Sequence, residues 1–123
     1  MDIVGEKVTD FTTKWTSVTV TAEGIMVNEE ADSGAMGTGL VTVTFRPPVD
    51  QSAETGPVEV QAVLFSPDGS SLSVTGAGTR RKSGHHKWEV RNDLLAEDGQ
   101  RFFVVEEHDL KTRSTTGTTY AVV

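Results

Sequence analysis

The segment VEVQAVLFSPDGSSLSV, residues 58–74, contains the clearest structural pattern in the chain. Apolar and polar residues alternate on both sides of Pro67-Asp68-Gly69, a pattern typical of two strands joined by a tight turn with the glycine at positive φ. In that register the numbers of facing residues add up to about 136, so that Leu64 faces Leu72. The even-numbered residues then point to the interior, and we predict that this parity holds from residue 58 onward.

Residues 85–94 divide in the same way, because charged side chains occupy most odd positions and apolar side chains most even positions. This division is typical of a strand with one buried face and one solvent-exposed face. We predict the preceding turn at residues 81–84, which places Gly76 opposite Trp88 and Gly78 opposite His86. In this register the glycines leave room for the indole of Trp88, and His86 points inward.

The hairpin at Asp98-Gly99 decides which side chains enter the interior next. A bulged turn, which we favour by analogy with the first hairpin, turns this set inward: Phe102, Val104, Glu106 and His108. A tight two-residue turn would instead bury Phe103, Val105 and Glu107. The last strand is predicted at residues 114–123, with Thr116, Thr118, Tyr120 and Val122 pointing inward.

The first half of the chain has a weaker pattern. Residues 14–27 are rich in β-branched side chains and predict one or two strands. An acidic loop is expected at residues 28–34, followed by a strand at residues 37–45. Residues 46–57 form the longest predicted loop, which is either a lid or an ordinary surface connection.

These elements amount to about eight strands in sequence order, and no helix is signalled. We therefore predict an all-β protein in which residues 1–123 form a single domain, an antiparallel up-and-down β-barrel, because full closure removes unpaired edge strands. A β-sandwich is the alternative. With 123 residues, 36% of them hydrophobic, the chain can bury one core.

Composition excludes several classes of function. The net charge of -7 and the pI of about 4.8 argue against a nucleic-acid or anionic-membrane partner, because an acidic surface repels phosphates. The chain has no cysteine, which excludes disulfides, cysteine-bound zinc and thiol nucleophiles. Residues 1–7 lack a signal-peptide pattern, and no apolar run approaches the ~20 residues of a membrane helix, so we expect a cytoplasmic protein.

The predicted interior gathers chemically active side chains near one end of the barrel. Glu106 would exchange protons with His86 or His108, acting as a general acid or base. The side chains expected to bind the substrate are Trp88, Tyr120, Thr118, Val90 and Phe102. A buried glutamate–histidine pair with a purely structural role is the alternative.

Metal and nucleotide sites receive little support from the sequence. His86, His108 and Glu106 could in principle form a two-histidine, one-carboxylate site. His85 and His86 cannot clamp one ion together, because adjacent residues of a strand point to opposite faces. Phosphate loops, dinucleotide fingerprints and a Gly-x-Ser-x-Gly run are absent from the sequence. We therefore expect no metal and no cofactor.

Segments such as VTGAGT at residues 74–79 and GTTY at residues 117–120 resemble the glycine-punctuated strands of small β-barrels of the allene oxide cyclase and dirigent type. The similarity is one of pattern over roughly residues 36–123. It implies a barrel whose lumen steers a reactive organic substrate, as in cyclases and isomerases.

Two classes of function follow. The first is a barrel that binds a small hydrophobic or weakly anionic molecule, with cyclase or isomerase chemistry as its enzymatic form. The second is a structural or accessory protein with a packed lumen. An internal cavity above ~300 Å³ would favour the first, and a filled lumen with an outer apolar patch the second. Phe103, Val105 and Leu95 are expected on the outer wall, where they predict a homodimer.

Overall fold

Eight antiparallel strands follow one another around a closed barrel in the computed structural model, which describes residues 4–49 and 54–123. The strands are β1 (Val4–Thr21), β2 (Gly24–Asp32), β3 (Thr38–Phe45), β4 (Thr55–Phe65), β5 (Ser71–Gly84), β6 (Lys87–Ala96), β7 (Arg101–Asp109) and β8 (Ser114–Val122). A 3-10 turn, Gly34–Met36, joins β2 to β3. Each strand pairs with the next, and β1 pairs with β8. The predicted up-and-down barrel is confirmed, and the sandwich alternative is wrong. No helix in the described part of the chain is long and apolar enough to span a membrane.

The two bulged hairpins form as predicted. Leu64 faces Leu72 across β4 and β5, and Leu95 faces Arg101 across β6 and β7. Gly69 and Gly99 each adopt φ 91° in these turns, a conformation that favours glycine. The even-numbered residues of β4 to β7 therefore point into the barrel, including Phe102, Val104, Glu106 and His108.

The predicted turn between β5 and β6 is wrong. β5 continues to Gly84, and the turn consists of His85 and His86. Gly76 consequently faces Leu94 rather than Trp88, and Gly78 faces Asn92 rather than His86. The longer strand adds ladder hydrogen bonds, and His86 completes the turn at φ 59°, with its carbonyl accepting the N–H of Leu110 at 2.8 Å.

The predicted orientation of β8 is also wrong. Asp109 pairs with Ser114, so the turn between them has an even number of residues and odd positions of β8 meet even positions of β7. The Asp109 carboxylate stabilises this turn by accepting the N–H groups of Lys111 at 3.0 Å and Thr112 at 3.1 Å. Thr116, Thr118, Tyr120 and Val122 therefore lie on the outer face, opposite to the prediction.

The predicted acidic loop at residues 28–34 is largely wrong, because residues 28–32 belong to strand β2. The side chains of β2 alternate, so Glu29 points inward and is 3% exposed, whereas Glu30 is exposed. Asn28 joins the strand to its neighbours through hydrogen bonds with Ser17 and Thr42. The acidic composition hid the strand because its inward face carries a carboxylate.

The long connection between β3 and β4 ends where β4 begins, at Thr55. Residues 50–53 of this connection lie outside the described part of the chain, and the choice between a lid and a surface loop falls on them. Val49 packs against the apolar core.

The end of the barrel next to this connection is closed by a buried cation. Arg80 is 2% exposed, and its guanidinium lies over the Trp88 ring at 4.6 Å from the ring centroid. It donates to the carbonyl oxygens of Pro57, at 3.0 Å, and Pro48. Trp88 packs in turn on Phe45, with ring centroids 4.7 Å apart. The lumen is therefore filled at this end.

Candidate functional site

Six buried polar side chains form one hydrogen-bonded chain across the lumen. Inward-facing positions of five strands supply them: Thr13, Glu29, Asn92, Glu106, His108 and Thr115. Each is at most 8% exposed. Buried polar groups are costly unless they are paired, so a chain of this length must be almost fully satisfied.

Glu29 lies between Thr13 and Thr115 in the chain and accepts a hydrogen bond from each of their hydroxyl groups. Thr13 Oγ1 and Thr115 Oγ1 each donate to Glu29 Oε1 at 2.6 Å. Thr115 Oγ1 accepts in turn the Nε1–H of Trp15 at 2.9 Å. The single hydroxyl proton of Thr115 is therefore used in its hydrogen bond to Glu29.

The hydrogen bond that Thr115 donates to Glu29 determines the tautomer of His108. His108 Nδ1 lies 3.0 Å from Thr115 Oγ1, and a hydroxyl that already donates elsewhere can only accept there, so Nδ1 carries a proton. His108 Nε2 lies 2.9 Å from Glu106 Oε1, which also accepts the amide of Asn92 at 3.1 Å. The imidazole therefore connects the two glutamates, and a proton is shared between Nε2 and Glu106.

Burial and charge compete in this chain. Burial by itself lowers the pKa of His108, but the neighbouring carboxylates of Glu106 and Glu29 and the hydrogen bond to Glu106 outweigh it, so the pKa is raised above the ordinary 6.5. Burial raises the pKa of Glu29 above its ordinary value of 4.5, against the opposing effects of His108 and the two threonine hydroxyls. Both shifts favour the protonated forms in the folded protein.

A cavity of about 90 Å³ lies beside this chain. Four members of the chain line it: Thr13, Glu29, Asn92 and Glu106. Its remaining lining is mainly apolar and includes Phe11, Val41, Val60, Leu64, Leu94, Phe102 and Val104. Ser33 and Met36 also line it, so the cavity extends toward the barrel end that carries the β2–β3 connection. The volume is below the ~300 Å³ expected above for a ligand-binding barrel, so that expectation is not met and any ligand must be smaller than a drug-sized molecule.

The structure brings together only part of the predicted site. Glu106 and Phe102 line the cavity, and His108 lies behind Glu106. Trp88 and Val90 point inward but pack in the filled part of the core with Phe45.

The inward placement of three predicted site residues is wrong. His86 is exposed in the β5–β6 turn. Thr118 lies on the outer face, where its hydroxyl donates to Asp10 at 2.8 Å, and Tyr120 faces outward beside Phe103. The two-histidine, one-carboxylate metal site considered above does not form, because His86 lies in the exposed turn and does not converge with His108 and Glu106. Within residues 4–49 and 54–123, no group of three or more His, Cys, Asp or Glu side chains is arranged to hold a metal.

Glu29, Thr13 and Thr115 were missed as site residues. Glu29 lies in a segment whose composition resembles a loop, and Thr13 precedes the first clear strand pattern. Thr115 was assigned to the outer face with the other odd positions of β8. Asn92 was correctly placed inside by parity, which was the one available signal for its role.

Fold and lining together define a class: a closed eight-stranded antiparallel barrel with a small lumenal cavity beside two buried carboxylates. Comparison with protein-family models, with curated proteins and with solved structures finds no match for this chain. The barrel is compatible with the architecture of allene oxide cyclase and dirigent proteins, and no family membership follows from that.

Proposed function

We propose that the protein binds a small, largely apolar molecule in its lumen and holds one polar group of that molecule against Glu106 and Glu29. The observation that carries the proposal is the cavity itself, with apolar walls and two lining carboxylates. Ligand sites in proteins typically combine an apolar lining with a few convergent polar groups. The cavity volume limits the ligand to fewer than about ten non-hydrogen atoms.

The hydrogen bonds beside the cavity favour a ligand that donates. Thr13 donates to Glu29 and Asn92 donates to Glu106, so both donors are directed at carboxylates. Both glutamates accept through Oε1, and Oε2 of each accepts no hydrogen bond from a described residue. An anionic group would meet like charges here, whereas an alcohol or an ammonium group would find open acceptors.

Three six-carbon probes test the proposal: hexylamine, hexanol and hexanoate. We expect hexylamine and hexanol to shift the amide signals of β2, β6 and β7 in two-dimensional NMR titrations, and hexanoate to bind more weakly. Glu106→Gln should weaken hexylamine binding roughly ten- to a hundredfold, the typical effect of losing a charge-assisted hydrogen bond. Calorimetry measures the affinities.

Glu107→Gln is the matched control, because Glu107 is the next residue of β7 and is exposed on the outer face. It should leave binding unchanged. Tighter binding of hexanoate than of hexylamine would contradict the choice of polar group. Shifts confined to the outer wall for all three probes would contradict the lumenal site.

A second candidate function is general acid–base catalysis in the lumen, the cyclase or isomerase form of the hypothesis. The contact that supports it is the 2.9 Å approach of His108 Nε2 to Glu106 Oε1, in which the histidine can supply or take up a proton behind a cavity-lining carboxylate. Glu106 would touch the substrate, and His108 would act through Glu106.

An enolisable ketone tests this second candidate. We expect the protein to accelerate the incorporation of deuterium from D2O next to the carbonyl of 2-pentanone, measured by mass spectrometry. Glu106→Gln should remove roughly a hundredfold or more of that acceleration, as expected for the loss of a general base. Exchange at equal rates in Glu106→Gln and the parent protein would rule out Glu106 as the base and leave the binding function untouched.

A further inference from the structure

The second half of β1 has a free edge. Residues 17–21 pair with β2 on one side. On the other side, the pairing of β1 with β8 ends at Lys14 and Ser114, and the last backbone bond runs from Trp15 N–H to the Arg113 carbonyl. Every residue from 16 to 22 is exposed. No described strand covers this edge of the barrel.

The backbone groups on the edge are available for pairing. Thr21 and Gly24 flank the two-residue turn to β2, and such a pair exchanges both of its backbone hydrogen bonds. Because the pattern alternates along a strand, Val20 and Val18 point their N–H and C=O groups away from β2. These groups bond no described residue outside the strand ladders. The edge thus offers a row of donors and acceptors.

The sequence of this edge lacks the usual protection against pairing. Residues 15–22, WTSVTVTA, contain no charge and no proline, and they are rich in β-branched residues. Natural edge strands commonly carry lysine, proline or a bulge to prevent association. The bulge between Trp15 and Ser17 ends before the free segment, so residues 17–21 remain regular.

We propose that two copies of this chain associate through antiparallel pairing of their β1 edges. An antiparallel edge is its own complement under two-fold symmetry, because outward-pointing backbone groups meet outward-pointing backbone groups. The matching register places Val18 of one copy opposite Val20 of the other, with Thr19 on the two-fold axis. Pairing also covers apolar side chains, since Val18 is 42% and Val20 72% exposed.

Charge complementarity selects a second copy as the occupant. The uncharged segment is flanked by Lys14 on one side and Glu23 on the other. Antiparallel pairing brings Lys14 of each copy alongside the turn that holds Glu23 of the other copy, so the contact forms twice. Lys14 is exposed and forms no ion pair with a described residue, and the Glu23 side chain is 84% exposed, with Arg46 at 3.7 Å.

Sedimentation velocity and light scattering on the full chain test the inference. We expect a dimer whose dissociation constant rises about tenfold or more in Thr19→Lys, because two like charges then meet at the two-fold axis. Lys14→Glu and Glu23→Lys should each weaken the dimer, and the double variant should restore it. Failure of the double variant to restore the dimer would overturn the charge pairing and with it the register.

Leu95→Lys is the matched comparison, because Leu95 is 53% exposed and shares the outer wall of the β6–β7 pair with Phe103 and Val105, which face outward as predicted. It should leave the dimer intact. A dimer that dissociates in Leu95→Lys and persists in Thr19→Lys would move the interface to that patch and overturn the inference. A parent protein that is monomeric at all concentrations would also overturn it. The inference depends on the β1 edge alone and is independent of ligand binding.

Discussion

His108→Leu is expected to lower the free energy of unfolding by about 3–5 kcal/mol at neutral pH, the usual cost of removing one partner from a buried ion pair. The side chain is 0% exposed and connects Glu106 with Thr115, through which it reaches Glu29. Leucine fills much of the same space but leaves both carboxylates without the imidazole. Urea unfolding followed by tryptophan fluorescence measures the loss.

The pH profile separates this electrostatic cost from lost packing. The pKa of His108 is raised in the folded protein, so its stabilising effect is fully present below the ordinary 6.5 and is lost as the pH rises through the higher folded value. The raised pKa of Glu29 acts in the same direction, because burial penalises its charged form once the pH exceeds the ordinary 4.5. We therefore expect the parent protein to lose stability as the pH rises from about 5 toward about 8.

The difference between the parent protein and His108→Leu should be largest below the ordinary pKa of 6.5 and should shrink as the pH rises through the raised pKa of His108, because the imidazolium is then lost from the parent protein. His85→Leu is the control, because His85 is exposed in the β5–β6 turn, and it should change stability little. A His108→Leu loss of the same size at every pH would show that the histidine contributes packing rather than charge.

Gly78→Ala is expected to destabilise the barrel by about 3 kcal/mol, at the upper end of the usual cost of overpacking. A Cβ at this position would overlap the backbone carbonyl of Arg91 and the Oδ1 of Asn92. The carbonyl belongs to β6, which pairs with β5 along its whole length, so neither strand can move away without loss of ladder hydrogen bonds. Thermal unfolding measures the effect.

Gly84→Ala is the matched control on the same strand. A Cβ there would meet Lys87 Cδ at 3.7 Å, an ordinary contact with a flexible side chain. Equal effects of the two substitutions would contradict the steric explanation. Gly78→Ala should also disturb the site, because Asn92 can avoid the new methyl group only by moving relative to Glu106.

The identity of the inward side chains was predictable wherever two strands were joined by a recognisable turn. Pro67-Asp68-Gly69 and Asp98-Gly99 specified their turns, and Glu106, His108 and Phe102 followed by parity. His86 and Tyr120 were misplaced because the turns before β6 and β8 carry no such motif. Adding or removing one residue of a turn reverses which face every later side chain occupies.

By itself, the sequence determined the all-β class, the sequential barrel and the inward face of β4 to β7, because a two-residue period and local turn chemistry are encoded by neighbouring residues. The pairing of Glu29 with Thr115 across 86 positions, the tautomer of His108 and the register of β1 against β8 arise only in the folded barrel. These features depend on which distant strands come together when the barrel closes. No local sequence pattern specifies which residues of distant strands will face each other.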